Sequence, residues 1–280
     1  MELIDLHVHS NASDGTLTPS QVVSLALHTG LSAMALTDHD TVDGVDEAMA
    51  AAAGTALEVI AGTELSCDWN GTEIHMLGLF IDHKDEAFRR FLKEMRDTRD
   101  GRNQKMLQLF KDSGFPLEYE DLTGGNPDTV ITRAHFARAL LNKGCVTSMD
   151  QAFKKYLSPG CPYFIPRTRV TPKEAIGLIR AAKGLPILAH PLQYKLGWRK
   201  TEDLAAELKE TGLAGMEVYY NSHTPGETSR LQEICRRLSL LPSGGSDFHG
   251  TNKPDIHLGS GRGGLRVPKL LLDDLKAALP

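Results

Sequence analysis

The chain has 280 residues, of which 41% are hydrophobic and 24% are charged, so it can bury a large core as one domain or as one domain with an insertion. Its formal net charge of -5 argues against a surface that coats nucleic acid, so any recognition of phosphate has to be local. No apolar run is long enough to span a bilayer, and four scattered cysteines without a C-x-x-C pair favour reduced thiols. We therefore expect a cytoplasmic protein without a membrane partner.

Strand-like and helix-like segments alternate along the first part of the chain. ELIDLHV predicts a strand, and TPSQVVSLALHTG predicts a helix with Thr18 as N-cap, Pro19 in its first turn and Gly30 at its end. SAMALTDHD predicts a strand with a loop, and DGVDEAMAAAAG predicts a helix. ALEVIAGTELS and TEIHMLGLF predict two further strands.

The same alternation returns in the last part of the chain. LPILAHP, GMEVYY and LLPSGGSDFH predict strands, and helices are predicted in 171–183, 201–211 and 225–238. Strand–helix alternation of this length predicts an α/β protein with a mainly parallel sheet, which is open or closed into a barrel.

The middle of the chain differs from both ends. From about 86 to 157 the sequence shows helical patterns and turns without a convincing strand. We therefore predict a barrel formed by 1–85 and 166–280, interrupted by a helical insertion over 86–165 that caps the substrate.

The segment HVHSNASDG follows the first predicted strand. In an extended strand, residues two apart project from the same face, so His7 and His9 would point the same way and could share one ion. A strand usually fills such a face with Val, Ile or Leu, so two imidazoles there indicate a function.

Further imidazoles and carboxylates occur where the predicted strands end. The whole set comprises His7, His9, Asp14, His39, Glu64, His75, His190, Asp247 and His249. Side chains at the C-terminal ends of barrel strands converge on one mouth, and imidazole mixed with carboxylate suits manganese, iron or zinc. The set exceeds what one ion uses, so a carboxylate such as Glu64 could bridge two ions. A lone histidine of this kind is more often a satisfied core residue, but that explanation fails for a set of nine.

The motifs HVHSNASDG, TDHDTVDG, GTELS, EIHMLG, ILAHP and GGSDFHG, in this order, resemble those of the PHP (polymerase and histidinol phosphatase) family. The resemblance is closest to the stand-alone phosphoesterase branch, covers nearly the whole chain and is weakest in the insertion. It implies a distorted seven-stranded β/α barrel of the PHP type. It also implies three divalent ions, for which we predict manganese, with iron or zinc as alternatives.

By this resemblance the nine residues divide among three ions. One ion would take His7, His9, Glu64 and Asp247; a second would share Glu64 and add His75 and His190; the third would use Asp14, His39 and His249. Three divalent ions against three carboxylates leave about +3, or about +2 with a bridging hydroxide, which matches a phosphate dianion. Divalent ions lower the pKa of bound water and stabilise phosphoryl oxygens, so Glu64 and Asp247 are predicted to serve catalysis through the ions they hold.

Two acids flank the predicted ligands, and a further histidine is a candidate for contact with substrate. Asp5 precedes His7 and Asp38 precedes His39, and either carboxylate could hold a ligand's second ring nitrogen, with loop capping as an equal alternative for Asp38. The PHP resemblance extends to His223 in YYNSHT, which could contact substrate or protonate the leaving oxygen.

The segment FRRFLKEMRDTRDGRNQKMLQLF predicts a helix with two arginines, Arg99 and Arg102, on its apolar stripe. The other members of that stripe are Phe88, Leu92, Met95, Met106 and Leu109. An inward arginine needs an anionic partner, which is either an acidic core residue or a bound phosphate. The remaining predicted substrate contacts are Arg133, His135, Arg167 and Arg169.

The leading prediction is a metal-dependent phosphoesterase acting on a small phosphorylated substrate, for which the PHP branch favours the 3'-phosphate of nucleoside 3',5'-bisphosphates. The same site would suit a 5'-3' exonuclease on short oligonucleotides or a histidinol phosphatase. With 6% aromatic residues the chain shows little sign of an extended oligonucleotide groove, and stable binding of duplex nucleic acid is not expected. A metal-stabilised PHP scaffold without activity is the non-enzymatic alternative, and such a module would be expected to have lost ligands.

Overall fold

Seven strands form one nearly closed sheet. The computed structural model describes residues 2–125, 129–166 and 169–279. Within these ranges the strands follow one another in chain order: β1 (Ile4–Val8), β2 (Ala33–Leu36), β3 (Glu58–Trp69), β4 (Thr72–Leu79), β5 (Leu185–Leu188), β6 (Gly215–Tyr220) and β7 (Leu241–Gly245). The His9 N–H donates to the Phe248 carbonyl (3.0 Å) and the Asp247 N–H to the His7 carbonyl (2.9 Å), which joins the first strand to the end of the last. The predicted seven-stranded α/β barrel is confirmed.

Helices alternate with the strands except between β3 and β4, which follow each other directly, and between β4 and β5, where several helices occur in succession. They are α1 (Pro19–His28), α2 (Val45–Ala52), α3 (Glu86–Asp112), α4 (Tyr119–Thr123), α5 (Arg133–Asn142), α6 (Met149–Ala152), α7 (Pro172–Ala181), α8 (Trp198–Glu210), α9 (Pro225–Leu238) and α10 (Leu270–Ala277). Helices α3 to α7 follow one another between β4 and β5 with no strand among the described residues there, and a π-helical turn continues α6. None of the described helices combines the length and apolar character that crossing a bilayer requires.

Local signals set the helix ends. Thr18 caps α1 by accepting a hydrogen bond from the Gln21 N–H (3.2 Å), as the sequence predicts. Helix α8 begins at Trp198, earlier than predicted, because Gly197 with φ of 77° turns the chain there.

The direction of β4 differs from a simple parallel barrel. This strand runs antiparallel to both β3 and β5, whereas the other pairs of neighbours are parallel. A hairpin turn at Asn70 and Gly71, both with positive φ, reverses the chain, and this Asn-Gly pair is a hairpin signal in the sequence. The expectation that every candidate ligand ends a strand is therefore wrong for Glu64, inside β3, and for His75, inside β4. The reversal brings the first half of β4 beside the second half of β3, so the two residues remain close.

One core cluster ties the barrel together. It combines five strands with the C-terminal helix through Ile4, Leu6, Ala33, Ala35, Ile60, Leu77, Leu79, Leu185, Ile187, Leu271, Leu272 and Leu275. Burial of this apolar surface stabilises the barrel by about 25 cal/mol per Å². Because such cores are closely packed, the barrel is a rigid support for the strand ends.

The helices between β4 and β5 have a core of their own. Its largest side chains include Phe110 and Phe136, whose ring centroids lie 6.0 Å apart. The buried stripe of α3 continues from Met106 to Phe110, while Leu109 is 39% exposed, so the prediction of an inward Leu109 is wrong. Arg99 and Arg102 are buried on this stripe as predicted.

Candidate active site

The nine sequence-predicted ligands lie together, with Glu64 in their midst. Its Oε1 is 2.8 Å from His75 Nδ1 and 3.0 Å from His190 Nε2. Its Oε2 is 3.0 Å from His39 Nδ1. The imidazoles within 3.4 Å of this carboxylate belong to His7, His9, His39, His75 and His190. Glu64 therefore has the position expected of a carboxylate shared between cations.

Asp247 and Asp14 lie on opposite edges of the His9 ring. Asp247 Oδ1 is 3.4 Å from His9 Nε2, and Asp14 Oδ1 is 3.8 Å from His9 Nδ1. His249 spans the same two carboxylates, with Nε2 3.1 Å from Asp14 Oδ1 and Nδ1 3.4 Å from Asp247 Oδ1. The cluster is therefore continuous from Asp14 through Asp247 to Glu64.

The ligand atoms fall into four overlapping groups, and within each group they lie within 4.8 Å of one another. The groups are His9, Asp14, His39 and His249; His7, Glu64 and His190; His7, His9 and Asp247; and His39, Glu64 and His75. His75 and His190 thus both lie with Glu64, but in separate groups. The division of the ligands among ions stays a prediction.

Two of these residues have an unusual backbone conformation. His190 has φ of 24° and Asp247 has φ of 57°, and they follow β5 and β7. A non-glycine residue in this region costs on the order of 1–3 kcal/mol and persists where its surroundings hold it. At the same strand end a Cβ on Gly245 would lie 2.4 Å from the His7 Cβ, so only glycine allows β7 to approach β1 so closely. The backbone is therefore strained at two of the candidate ligands, which is typical of a functional site.

Glu217 supports two of the candidate ligands, and the sequence analysis does not single it out. It is fully buried in β6, with Oε1 3.1 Å from His7 Nδ1 and Oε2 accepting from the His190 N–H at 2.7 Å. A carboxylate on the second ring nitrogen fixes an imidazole, so the Nε2 of His7 is aimed at Glu64. The available signal is an acidic residue within the apolar strand GMEVYY.

Asp5 and Asp38 hold backbone and hydroxyl groups rather than imidazoles. Asp5 accepts from the backbone N–H groups of Ser246 (2.8 Å) and Gly259 (2.8 Å). Asp38 accepts from Ser10 N (2.8 Å) and Ser10 Oγ (2.6 Å). The orienting role is wrong for both, and the loop-capping alternative describes Asp38.

The donor set and its protonation fit divalent cations. Burial opposes ionisation of Glu64, but the charges of His75, His39 and His7 hold its pKa well below the usual range. Burial also opposes a charge on His9, yet hydrogen bonds to Asp247 and Glu64 raise its pKa to about 9. The Nδ1 atoms of His9 and His190 are buried without a hydrogen-bond partner among the described residues. Cations can replace protons on such nitrogens, so metal binding here is coupled to proton release.

A cavity of about 350 Å³ opens beside the cluster. Its lining includes the candidate ligands Asp14, His39, His75 and His249. Its lining also includes the cationic side chains of Arg99, Arg102, Arg133 and Lys253. The helices α3 and α5 thus place three arginines on the wall of the cavity that the cluster borders.

The two arginines of α3 have different surroundings. Arg99 is paired with the fully buried Asp40 and lies 3.5 Å from the Ser66 hydroxyl. Arg102 is 7% exposed, and its Nη1 lies 3.3 Å from the Met106 Sδ. For Arg99 the acidic core partner exists, although its side chain also borders the cavity.

Arg133 and Arg169 converge on Glu73. The Glu73 Oε2 accepts from Arg133 Nη2 at 2.7 Å and from Arg169 Nη2 at 2.8 Å. Burial opposes ionisation of Glu73, but a hydrogen bond from His75 and the charges of both arginines hold its pKa well below the usual range. Glu73 borders the cavity and is a site residue that sequence reasoning missed, although it shares a strand face with His75.

The other predicted substrate contacts lie farther from the cavity lining. His135 Nδ1 accepts from the Thr132 N–H (2.9 Å) and the ring borders a neighbouring cavity of about 410 Å³. His223 Nδ1 donates to the Val218 carbonyl (2.9 Å), and its ring centroid is 5.3 Å from that of Tyr220. Arg167 lies outside the described residues.

Lys253 was also missed by sequence reasoning. Its Nζ is 2.6 Å from Asp247 Oδ2, and the Tyr220 hydroxyl donates to the same oxygen at 2.6 Å. A lysine in the polar loop TNKPD carries no local signal of this contact, because only the fold brings the loop over Asp247.

Known proteins are similar to this chain in sequence and in fold. The PHP domain model matches residues 5–157. The chain is 37% identical to a 5'-3' exoribonuclease of Haemophilus influenzae, over 88% of this chain and 89% of that protein. The chain belongs to the PHP family. A second PHP-type relative, the 3',5'-nucleoside bisphosphate phosphatase of Chromobacterium violaceum, is 36% identical over 89% of this chain and 88% of its own length.

A solved structure supports the same assignment over the entire fold. A Bifidobacterium adolescentis protein assigned as a metal-dependent phosphoesterase has a TM-score of 0.88 at 30% identity, covering 99% of this chain and 96% of that one. As a PHP protein with this cluster, the chain is a metal-dependent phosphoesterase. The PHP model match ends before His190, Asp247 and His249, and the barrel returns these residues to the cluster.

Proposed function

We propose that this PHP enzyme hydrolyses the 3'-phosphate of nucleoside 3',5'-bisphosphates. The observation that carries the proposal is the single cavity bordered both by candidate ligands and by the arginines of α3 and α5. A substrate with two phosphates would place one at the ions and the other at the arginines, since guanidinium groups match phosphate oxygens. The similarity to a relative named as a 3',5'-nucleoside bisphosphate phosphatase supports this choice of substrate.

The nine clustered residues would hold three divalent ions, with manganese preferred because imidazole and carboxylate ligands are mixed. When bound, such ions activate water and neutralise charge on the phosphoryl oxygens. Glu64 would be a ligand shared by two of the ions. Glu217 would fix the His7 ring, and Asp247 would be a ligand of the ion that His7 and His9 also bind.

The insertion over 86–165 would act as a substrate cap. It contributes Arg99 and Arg102 from α3 and Arg133 from α5. Met149 and Phe153 add an apolar part to the wall of the cavity, against which a nucleobase could pack. In this arrangement the barrel would supply the metal ligands, and the insertion would determine the substrate specificity.

A second candidate is exonucleolytic hydrolysis of short oligonucleotides from the 5' end. A cavity of about 580 Å³ shares Met149, Asn252 and Lys253 with the first cavity and borders Asp247. A phosphodiester has two ester arms and needs room on both sides of the ions, which two cavities with common lining residues could provide. The relative named as a 5'-3' exoribonuclease supports this alternative.

A substrate series separates the two candidates. The protein, with its metal content measured, is assayed on a nucleoside 3',5'-bisphosphate, the matching nucleoside 3'-monophosphate and a short 5'-phosphorylated oligonucleotide. We expect the bisphosphate to exceed the monophosphate in kcat/KM by about tenfold to a hundredfold, because a charge-assisted contact is worth about 1.5–3 kcal/mol. Equal values for these two substrates would contradict the second-phosphate site, and a higher kcat/KM on the oligonucleotide would favour exonuclease activity.

We propose a cytoplasmic location for the protein. All four cysteines are free thiols, which is typical of proteins in a reducing compartment.

A further inference from the structure

The insertion holds the loop that carries Asp14. This loop, residues 10–15, follows β1, yet it bonds to the segment before α5. The Val130 N–H donates to the Ala12 carbonyl (3.0 Å), and the Thr129 hydroxyl donates to the Ser13 carbonyl (2.7 Å). A loop of the barrel rim is therefore fixed by residues that lie far from it in sequence.

Thr132 makes a direct contact with the Asp14 side chain. Its buried hydroxyl accepts the Ala134 N–H (3.1 Å) as the N-cap of α5 and donates to Asp14 Oδ2 (2.9 Å). With Oδ2 held in this way, Oδ1 faces His249 Nε2 at 3.1 Å. The start of α5 thus fixes the orientation of the Asp14 carboxylate, whose Oδ2 also lies 3.7 Å from His39 Nε2.

Arg138, also on α5, reaches the same loop through Asn252. Its Nε donates to Asn252 Oδ1 (2.8 Å) and its Nη2 donates to the Thr251 carbonyl (2.6 Å). Asn252 Nδ2 donates to the Asp14 carbonyl (2.7 Å). Both the side chain and the main chain of Asp14 are therefore tied to α5.

We propose that Thr132 and the Arg138–Asn252 pair are positioning residues through which the insertion becomes part of the metal centre. They hold Asp14 for the cation between His9, His39 and His249, the group that shares Asp14. The inference rests on the proposed function in one respect, namely that divalent ions occupy the cluster. It adds that the ion held by Asp14 depends on the docking of α5.

Binding of substrate and binding of the ion held by Asp14 are then coupled. Arg133, which borders the substrate cavity, is adjacent in the chain to Thr132. An anion held by Arg133 would stabilise the start of α5, and thereby the position of Asp14. Because coupling between binding sites is reciprocal, the ion would strengthen bisphosphate binding by the same factor by which the bisphosphate strengthens ion binding.

The decisive measurement is the affinity of each ion, by equilibrium dialysis of the whole protein against graded Mn²⁺ with elemental analysis. Loss of a partner that orients a metal ligand typically costs 10–100-fold in metal affinity. We expect Thr132→Val to lower the affinity for one Mn²⁺ ion by about that factor and to leave the affinity for the other ions unchanged. Thr132→Ser, which keeps the hydroxyl, should restore wild-type affinity.

The matched control is Thr171→Val. Thr171 caps α7 in the same manner, accepting from the Glu174 N–H (3.3 Å), so the control loses a helix cap without losing a contact to Asp14. We expect it to lower the melting temperature as Thr132→Val does while all ions keep their affinity. An equal loss of one ion in this control would overturn the proposal.

Asn252→Asp tests the second tie independently of the α5 cap. It replaces the donor to the Asp14 carbonyl by an acceptor of the same size. We expect it to lower the affinity for the same ion that Thr132→Val affects. This variant decides the question if Thr132→Val does not fold. Unchanged ion affinities in a folded variant would refute the inference.

Failure of the inference and failure of the proposed function can be told apart. If the wild type hydrolyses the bisphosphate while Thr132→Val and Asn252→Asp bind every ion normally, the positioning role is wrong and the proposed function stands. If the wild type hydrolyses no phosphate ester while these variants lose one ion selectively, the proposed function is wrong and the positioning role stands.

Discussion

The cluster of candidate metal ligands and the arginine-bearing wall border one cavity but satisfy their charges in opposite ways. In the cluster, nitrogens face nitrogens: His7 Nε2 and His9 Nε2 lie 3.0 Å apart, and five imidazoles surround one carboxylate. In the wall, arginines face acids, since Arg99 pairs with Asp40 and Arg133 with Glu73.

This difference indicates which of the two regions needs a bound ligand to balance its charges. Crowded lone pairs and carboxylates are stabilised by cations, so we expect the stability and activity of the cluster to depend on bound cations. Arg99 and Arg133 are already compensated, and a phosphate binding to either has to compete with Asp40 or Glu73. We therefore expect changes in the cluster to abolish activity, and changes in the wall to alter stability or substrate preference.

The largest effect is expected for Glu64→Gln in the cluster. Loss of the central carboxylate removes several kcal/mol of charge stabilisation, so kcat should fall on the order of a thousandfold, together with the content of bound metal. Both are measured on the purified variant, by steady-state kinetics and elemental analysis.

The matched control is Glu58→Gln. Glu58 begins the same strand, is exposed and pairs with Lys276 (2.6 Å). We expect this variant to behave as the wild type, whereas near-normal activity and metal content in Glu64→Gln would show that the carboxylate is not shared between ions.

The next effect concerns stability of the wall. Arg99→Met leaves Asp40 buried without this guanidinium, and breaking a buried pair from one side costs about 3–5 kcal/mol in free energy of unfolding. Urea denaturation measures the loss, and Arg90→Met on an exposed turn of the same helix should change stability by less than about 0.5 kcal/mol.

A double mutant distinguishes the pair from a general packing effect. If Arg99 and Asp40 interact as the structure shows, Arg99→Met with Asp40→Asn should recover part of the lost stability. Strictly additive losses would argue that the two side chains act independently.

The smallest effect is expected for Arg102→Ala. A charge-assisted contact to phosphate is worth about 1.5–3 kcal/mol, so KM for a nucleoside 3',5'-bisphosphate should rise roughly tenfold to a hundredfold. The kinetics of p-nitrophenyl phosphate, which has no second phosphate, should stay unchanged.

The control for this change is Arg90→Ala, which removes an arginine from the exposed side of α3. Equal losses on both substrates in Arg102→Ala would assign this residue to the metal centre or the fold. Unchanged kinetics on every substrate would remove Arg102 from the substrate site.

Much of the fold was predictable because its signals are local. Alternating strands and helices, the Thr18 cap and the start of α9 at Pro225 follow from neighbouring residues in the chain. The antiparallel β4 could also be predicted from sequence, since Asn70-Gly71 is a hairpin signal between two strand-like segments.

The candidate ligands could be named from sequence because imidazoles and carboxylates are costly to bury and rarely occur together on apolar strands without a purpose. Their partners could not be named. Arg99 and Asp40 are separated by 59 positions, and Glu217 meets His7 across 210 positions, so neither contact leaves a pattern in any short window.

The sequence alone determined which chemistry the chain carries: an α/β framework and nine candidate metal ligands, both encoded in local periodicity and residue type. Only the tertiary structure decided how that chemistry is held, because closure of the barrel brings β6 and β7 to β1 and docks α5 on the Asp14 loop. Charge compensation and ligand orientation depend on distances of a few ångströms between residues far apart in the chain, and those distances are set by packing of the whole domain.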